Sequence, residues 1–218
     1  MAVRTDVRAL VRDELNDNGS VKIWTDALIN AFILEAIRDY GRQAGREAST
    51  SLTSVASQAA YALPAGTLQV VRLEHPAGYF RKASPYRSGD EEQQPGRMVG
   101  LAPGELVYEV WGGNVVLSPV PTASSEAIGV RYLATFTEPA SDATVLDVPD
   151  VELPALVYFA CRRALLWITS DEAKRQRFER QRGSDPKDAA NEYQEMYQSM
   201  LRTKQGGRVS SRRLAVRE

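Results

Sequence analysis

At 218 residues with a formal net charge of -1, the chain has room for one domain, or one core with an elaborated insertion, and its size alone does not oblige it to oligomerise. Hydrophobic residues make up 43% and charged residues 25%, a balance that excludes a disordered or membrane chain in favour of a soluble folded one. One cysteine, Cys161, excludes an internal disulfide, and one histidine, His75, offers little for a metal centre.

The longest apolar run, Leu153 to Ile168, is interrupted by Arg162 and Arg163 and is too short to span a bilayer unassisted, so no membrane partner is expected. The start, Met1-Ala-Val-Arg-Thr-Asp, lacks a basic segment followed by an apolar block; the expectation is no secretory leader and folding in a cytoplasm.

In chain order, Val3, Val7, Leu10, Val11 and Leu15 form one stripe at helical spacing, with Arg4, Arg8, Arg12 and Asp13 largely off it. Asn16-Asp-Asn-Gly-Ser ends that helix, with Gly19 as the expected left-handed residue. Thr25 is placed to cap a second helix, Trp24 to pack on Ile29, and Leu28, Ile29, Phe32, Ile33, Ala36, Ile37 and Tyr40 give it a wide apolar face.

The period then changes. Tyr61, Leu63 and parts of Leu68 to Leu73 predict short strands; Leu106 to Trp111 and Val115 to Leu117, joined at Gly112-Gly113-Asn114, predict a hairpin; Ile128, Val130, Tyr132, Ala134 and Phe136 alternate as a strand with one buried face. The segment 83–103, rich in Pro, Gly, Ser and charge, predicts an exposed loop.

Helical spacing returns after residue 150. Leu156, Phe159, Ala160, Arg163 and Trp167 share a broad face, with Pro154 in the first turn. Thr169 with Glu172 suggests a capping box for a polar helix, 173–182, which Gly183 breaks; Asp185 before Pro186 starts a last helix carrying Tyr193, Met196, Tyr197, Met200 and Leu201. Beyond Lys204 two glycines and scattered arginines give no strong pattern, and ordering that tail would cost roughly 1 to 2 kcal/mol per residue.

These elements predict an α+β fold, mainly helical: a four-helix-like bundle built from both chain ends, with a small antiparallel β insertion and an extended C-terminal tail. The bounds are 1–45 with 150–204 for the bundle, 46–149 for the β-rich insertion and 205–218 for a flexible docking tail. The helical core is drawn from Leu10, Trp24, Phe32, Ile33, Ile37, Leu156, Phe159, Trp167, Tyr193 and Tyr197.

No catalytic, cofactor-binding or metal-binding residues are assigned. His75 beside Glu74 lacks a second ligand and is read as a surface or loop histidine, and Cys161 among apolar neighbours is read as core filling. The glycines make no phosphate loop, and Asp13-Glu14 and Glu91-Glu92 are read as solvated pairs. Helix 174–182, with Arg175, Arg177, Arg180 and Arg182, could track phosphates in a DNA-binding assembly module, but Glu172 and Glu179 dilute its field. An enzyme would need a deep polar pocket joining His75 to distant carboxylates.

Two features suit docking between proteins: the tail residues Arg208, Val209, Arg212, Arg213, Leu214, Val216 and Arg217, and the acidic run Asp90, Glu91 and Glu92. The series formed by the short N-terminal helix, Trp24-Thr25-Asp26, Ile33-Leu34-Glu35-Ala36-Ile37-Arg38-Asp39-Tyr40, Tyr61-Ala62-Leu63-Pro64, Gly113-Asn114-Val115-Val116-Leu117-Ser118-Pro119 and Val130-Arg131-Tyr132 resembles the head-to-tail adaptor, or connector, proteins of tailed bacteriophages.

That resemblance implies a non-enzymatic virion protein at the head-tail interface, assembled in the host cytoplasm into a homo-oligomeric ring, usually of twelve subunits, below the portal of the DNA-filled head. It implies a C-terminal segment touching the portal protein, a stopper or tail protein on the other side, and genomic DNA passing without sequence-specific binding. Asp90 to Glu92 are expected to face the channel or a neighbouring subunit. The polar loop 83–103 and the interruption at Gly183 depart from the family pattern and leave the tail type open.

Overall fold

The computed structural model describes residues 2–77, 84–85 and 106–214, with backbone alone at 84–85 and 206–214. Its described elements run α1 (Arg4–Leu15), α2 (Asp26–Ala44), β1 (Arg46–Thr53), β2 (Ala60–Ala62), β3 (Thr67–Glu74), β4 (Ser84–Pro85), β5 (Val107–Trp111), β6 (Asn114–Ser118), β7 (Ala127–Ala134), a 3-10 turn (Asp150–Glu152), α3 (Leu153–Ile168), α4 (Glu172–Arg182) and α5 (Pro186–Leu214). The chain divides into two compact units, one made of Met1–Gly45 and Phe136–Glu218, the other of Arg46–Thr135.

In the first unit, helices from both ends of the chain close over one core, with α3 packed against α1, α2 and α5. Val7, Val11 and Leu15 of α1, Ile29, Ile33 and Ile37 of α2, Leu156 and Leu165 of α3, and Tyr197 and Leu201 of α5 are all buried there. Each such side chain contributes roughly 1.5 to 3 kcal/mol by leaving water, which none of these helices could collect alone. The unit resumes at Phe136, whereas the sequence carries the insertion on to residue 149, because Phe136, Leu146 and Val148 bury themselves in the helical core. Phe136 stacks on Tyr40 with centroids 5.8 Å apart.

The helix ends obey local chemistry with some changes of residue. Thr25 caps α2 by accepting the Leu28 N–H at 3.3 Å. The left-handed residue closing α1 is Asn16, not Gly19, an exchange that a short polar side chain tolerates. Asp171, not Thr169, caps α4 by accepting the Lys174 N–H at 3.2 Å, while the Thr169 hydroxyl donates to the Leu166 carbonyl. Gly183 closes α4 in the left-handed region at φ 71°, and Asp185 accepts the Lys187 N–H at 2.7 Å at the start of α5.

Two expected core residues are not core. Leu10 is 44% exposed and Trp167 40% exposed. Leu10 lies at the margin of the stripe formed by Val7, Val11 and Leu15, and Trp167 instead carries the Lys174 ammonium 4.1 Å above its ring. Trp24, Phe32, Ile33, Ile37, Leu156, Tyr193 and Tyr197 are buried, and Phe159 is half-buried with its ring edge-on to Tyr197. The last helix continues to Leu214, where the sequence predicts an end at Lys204 and an extended tail. Extending an existing helix adds one hydrogen bond per residue without a new nucleus, enough to carry two glycines that each cost about 1 kcal/mol relative to alanine.

The second unit holds two open sheets, one ordered β1-β7-β3 and one ordered β2-β6-β5-β4. Strand β7 alternates as its sequence predicts, burying Ile128, Val130, Tyr132 and Ala134, and pairs antiparallel with both neighbours. Hairpin β5-β6 turns at Gly112 and Gly113, both at positive φ, with Trp111 opposite Asn114. Strand β1 is not apparent in the sequence. It is polar, and only its continuous register with β7, from Arg46 opposite Ala134 to Thr53 opposite Ala127, makes it a strand. Within 83–103 the described part is Ser84–Pro85, which lies parallel to β5 at Val107–Tyr108.

Candidate assembly surfaces

Chemistry-bearing side chains remain apart. Among the described residues no group of three or more His, Cys, Asp or Glu could hold a metal ion. Cys161 is buried, its thiol within 3.9 Å of the Val11 carbonyl, and burial pushes its pKa up, so it stays a neutral filler. His75 lies in the bend that follows β3, a loop histidine as the sequence suggests, with its side chain 11% exposed and Nε2 3.5 Å from Glu126 Oε2. That imidazole-carboxylate pair is not in the cavity of about 410 Å³ on the three-stranded sheet, which Glu47, Ser49, Arg72, Arg131 and Tyr132 line.

The basic helix α4 is largely engaged with its own unit. Arg175 pairs with Glu172 at 2.7 Å and Glu179 at 3.4 Å, Lys174 pairs with Asp171 at 2.9 Å, and Arg177 donates to the Val21 carbonyl. A phosphate backbone would therefore meet a partly compensated helix, in which Arg180 and Arg182 make no ion pair among the described residues.

The root of the C-terminal segment is firmly held. Tyr193 donates to the Glu14 carbonyl at 3.1 Å, and Tyr197 donates to Asp39 Oδ2 at 2.7 Å, while burial pushes both phenols up. Lys204 pairs with Glu152, which also accepts from the Tyr40 hydroxyl at 3.0 Å. Ten residues beyond that pin complete the helix, and they carry Arg208, Val209, Arg212, Arg213 and Leu214. Val216 and Arg217, and the acidic run Asp90, Glu91 and Glu92, lie outside the described residues.

Two surfaces go beyond what the sequence marks. At the tip of hairpin β5-β6, Val110 is exposed and Trp111 is 73% exposed, although consecutive strand residues point to opposite faces, so the tip stands clear of its sheet on both sides. The paired glycines that follow signal a tight turn, but not that a tryptophan is left uncovered there. The second surface is a cleft between α2 and α3 lined by arginines from both helices. Arg38 and Arg163 stand 125 positions apart in the numbering, so no local pattern joins them.

A search of curated proteins finds no match. The family model described as SU10 adaptor protein matches residues 4–217, both units included. The chain therefore belongs to the SU10 adaptor protein family, and its general role is that of an adaptor in phage head-tail assembly.

Proposed function

We propose that twelve copies of this chain form a ring around the DNA channel, seated between the portal of the filled head and the stopper or tail. The observation that carries this is the family match, which extends through residue 217 and so takes in the C-terminal segment together with both units. Joining is the work done; the chain supplies no catalytic step.

In this arrangement the segment from 205 to 218 grips the portal through Arg208, Arg212, Arg213 and Arg217, with Val209, Leu214 and Val216 as small apolar anchors. The ion pair of Lys204 with Glu152 supports that reading, since a docking segment transmits force only if its root is fixed to a packed body. Twelve weak contacts presented together convert modest single affinities into firm attachment through effective concentration. Asp90, Glu91 and Glu92 contribute a channel lining or a subunit contact, and the lumen is neutral or acidic so that DNA passes without being held. The ring belongs to the virion at the head-tail junction and assembles in the host cytoplasm.

Electron microscopy of the protein mixed with its portal tests the proposal. The expected image is a ring seated coaxially on the portal. Absence of any ring, or a continuous arginine belt along its lumen, would count against it.

A further inference from the structure

The open cleft between α2 and α3, about 430 Å³, has more hydrogen-bond donors than acceptors. Its two carboxylates are already used. Glu35 accepts from Arg163 at 2.7 Å; Asp39 accepts from Tyr197 at 2.7 Å and from Gln43 at 2.5 Å, with Arg42 3.7 Å away. Arg38 is also committed, to both oxygens of Glu138 at 2.7 Å. Arg162 is half-buried in this cleft and has no acceptor among the described residues. A guanidinium presents five N–H donors, so Arg162, with the spare donors of Arg42 and Arg163, makes a fork that fits a carboxylate.

We infer that this cleft receives the acidic run Asp90, Glu91 and Glu92 of a second copy of the chain. The inference rests on the ring proposed above and names one of its subunit contacts. Charge complementarity selects the occupant: this is the one run of three consecutive acids in the sequence. A polyphosphate fits less well, because a continuous backbone would pass Glu35 and Asp39 and lie on the Phe159 ring, whereas a short acidic segment can end at the arginines.

The test titrates full-length protein into a labelled peptide of residues 86–96, at low and high salt. Binding is expected to weaken as salt rises, to fall about tenfold with Arg162→Ala and to vanish with Arg162→Glu. A peptide with lysine at 90, 91 and 92 should not bind. No binding at about 1 mM protein, or unchanged binding by Arg162→Glu protein of normal melting temperature, overturns the inference. So does preferential capture of a short DNA duplex by the cleft. It is overturned as well if peptide binds only after Asp90, Glu91 and Glu92 of a monomeric chain are neutralised, since the chain's own run then fills the site. Arg162-dependent peptide binding without rings on the portal would reject the ring and uphold the recognition. Normal rings from Arg162→Glu protein would uphold the ring and reject this contact.

Discussion

The indole N–H of Trp24 donates to the main-chain carbonyl of Ala164 at 3.0 Å, joining the start of α2 to the last turns of α3 across 140 residues. The same ring is fully buried and meets Phe178 of α4 edge-on, with centroids 6.3 Å apart. Trp24→Ala should cost about 3 to 5 kcal/mol of stability through the cavity it leaves, and Trp24→Phe about 1 to 2, since it keeps most of the volume and loses the hydrogen bond. Urea denaturation followed by circular dichroism measures both; equal losses would show that the hydrogen bond to Ala164, which both variants lack, outweighs packing there.

Arg12 is a second lock, holding α1, the turn after it and the start of α2 together. It is buried and donates to Asp17 Oδ2 at 2.6 Å, to the Trp24 carbonyl at 3.1 Å and to Asp26. Asp17 also accepts the Ile23 N–H at 2.8 Å, so it braces the turn between α1 and α2. Arg12→Met should destabilise by roughly 3 to 5 kcal/mol, because it strands the Asp17 carboxylate in the interior. Adding Asp17→Asn should recover part of this, the amide oxygen still accepting from Ile23. A loss under about 1 kcal/mol in equilibrium unfolding would mean that water reaches the pair.

Asp142 gives the fold a dependence on acid. Hydrogen bonds from Arg8 at 2.8 Å and Arg4 at 2.7 Å hold its carboxyl below the ordinary aspartate value. A depressed folded pKa means the unfolded chain binds the proton more readily, so this contribution is complete above about pH 4 and fades as pH falls through the lower folded value. Asp26 and Glu138 follow the same sign, held down by Arg12 and Arg38. Asp142→Asn should lower the melting temperature at neutral pH, and scanning calorimetry should show the gap from the unaltered protein narrowing progressively as pH falls below about 4. A gap constant with pH would assign the loss to packing.

Removing residues 205–218 keeps Lys204 and its pair with Glu152, so the body should survive. The melting temperature is expected to move by less than about 4 °C, equivalent to roughly 1 kcal/mol at this size. Binding to the portal, measured by sedimentation of the mixture, should be lost or strongly weakened. Undiminished binding would place the docking contact elsewhere on the chain.

Sequence alone determined the elements whose period and punctuation agree. The α2 stripe with Thr25 before it, the strict alternation of β7, the glycine turn of the hairpin, and Gly183 followed by Asp185 and Pro186 are local signals, because helix and strand spacing decide which side chains share a face. Its expectation that both chain ends share a core also came from faces too wide for any one helix to cover. Tertiary structure decided the rest. Polar β1 became a strand because β7 offers it a ladder, Arg12 went inside because Asp17 supplies a buried counter-charge, and Leu10 and Trp167 stayed partly exposed, Trp167 meeting only the Lys174 ammonium over its ring among the described aromatic and cation contacts. The arginine cleft exists only once α2 packs on α3. Periodicity records what a segment can bury, whereas its partners depend on groups far along the chain that only packing brings within reach.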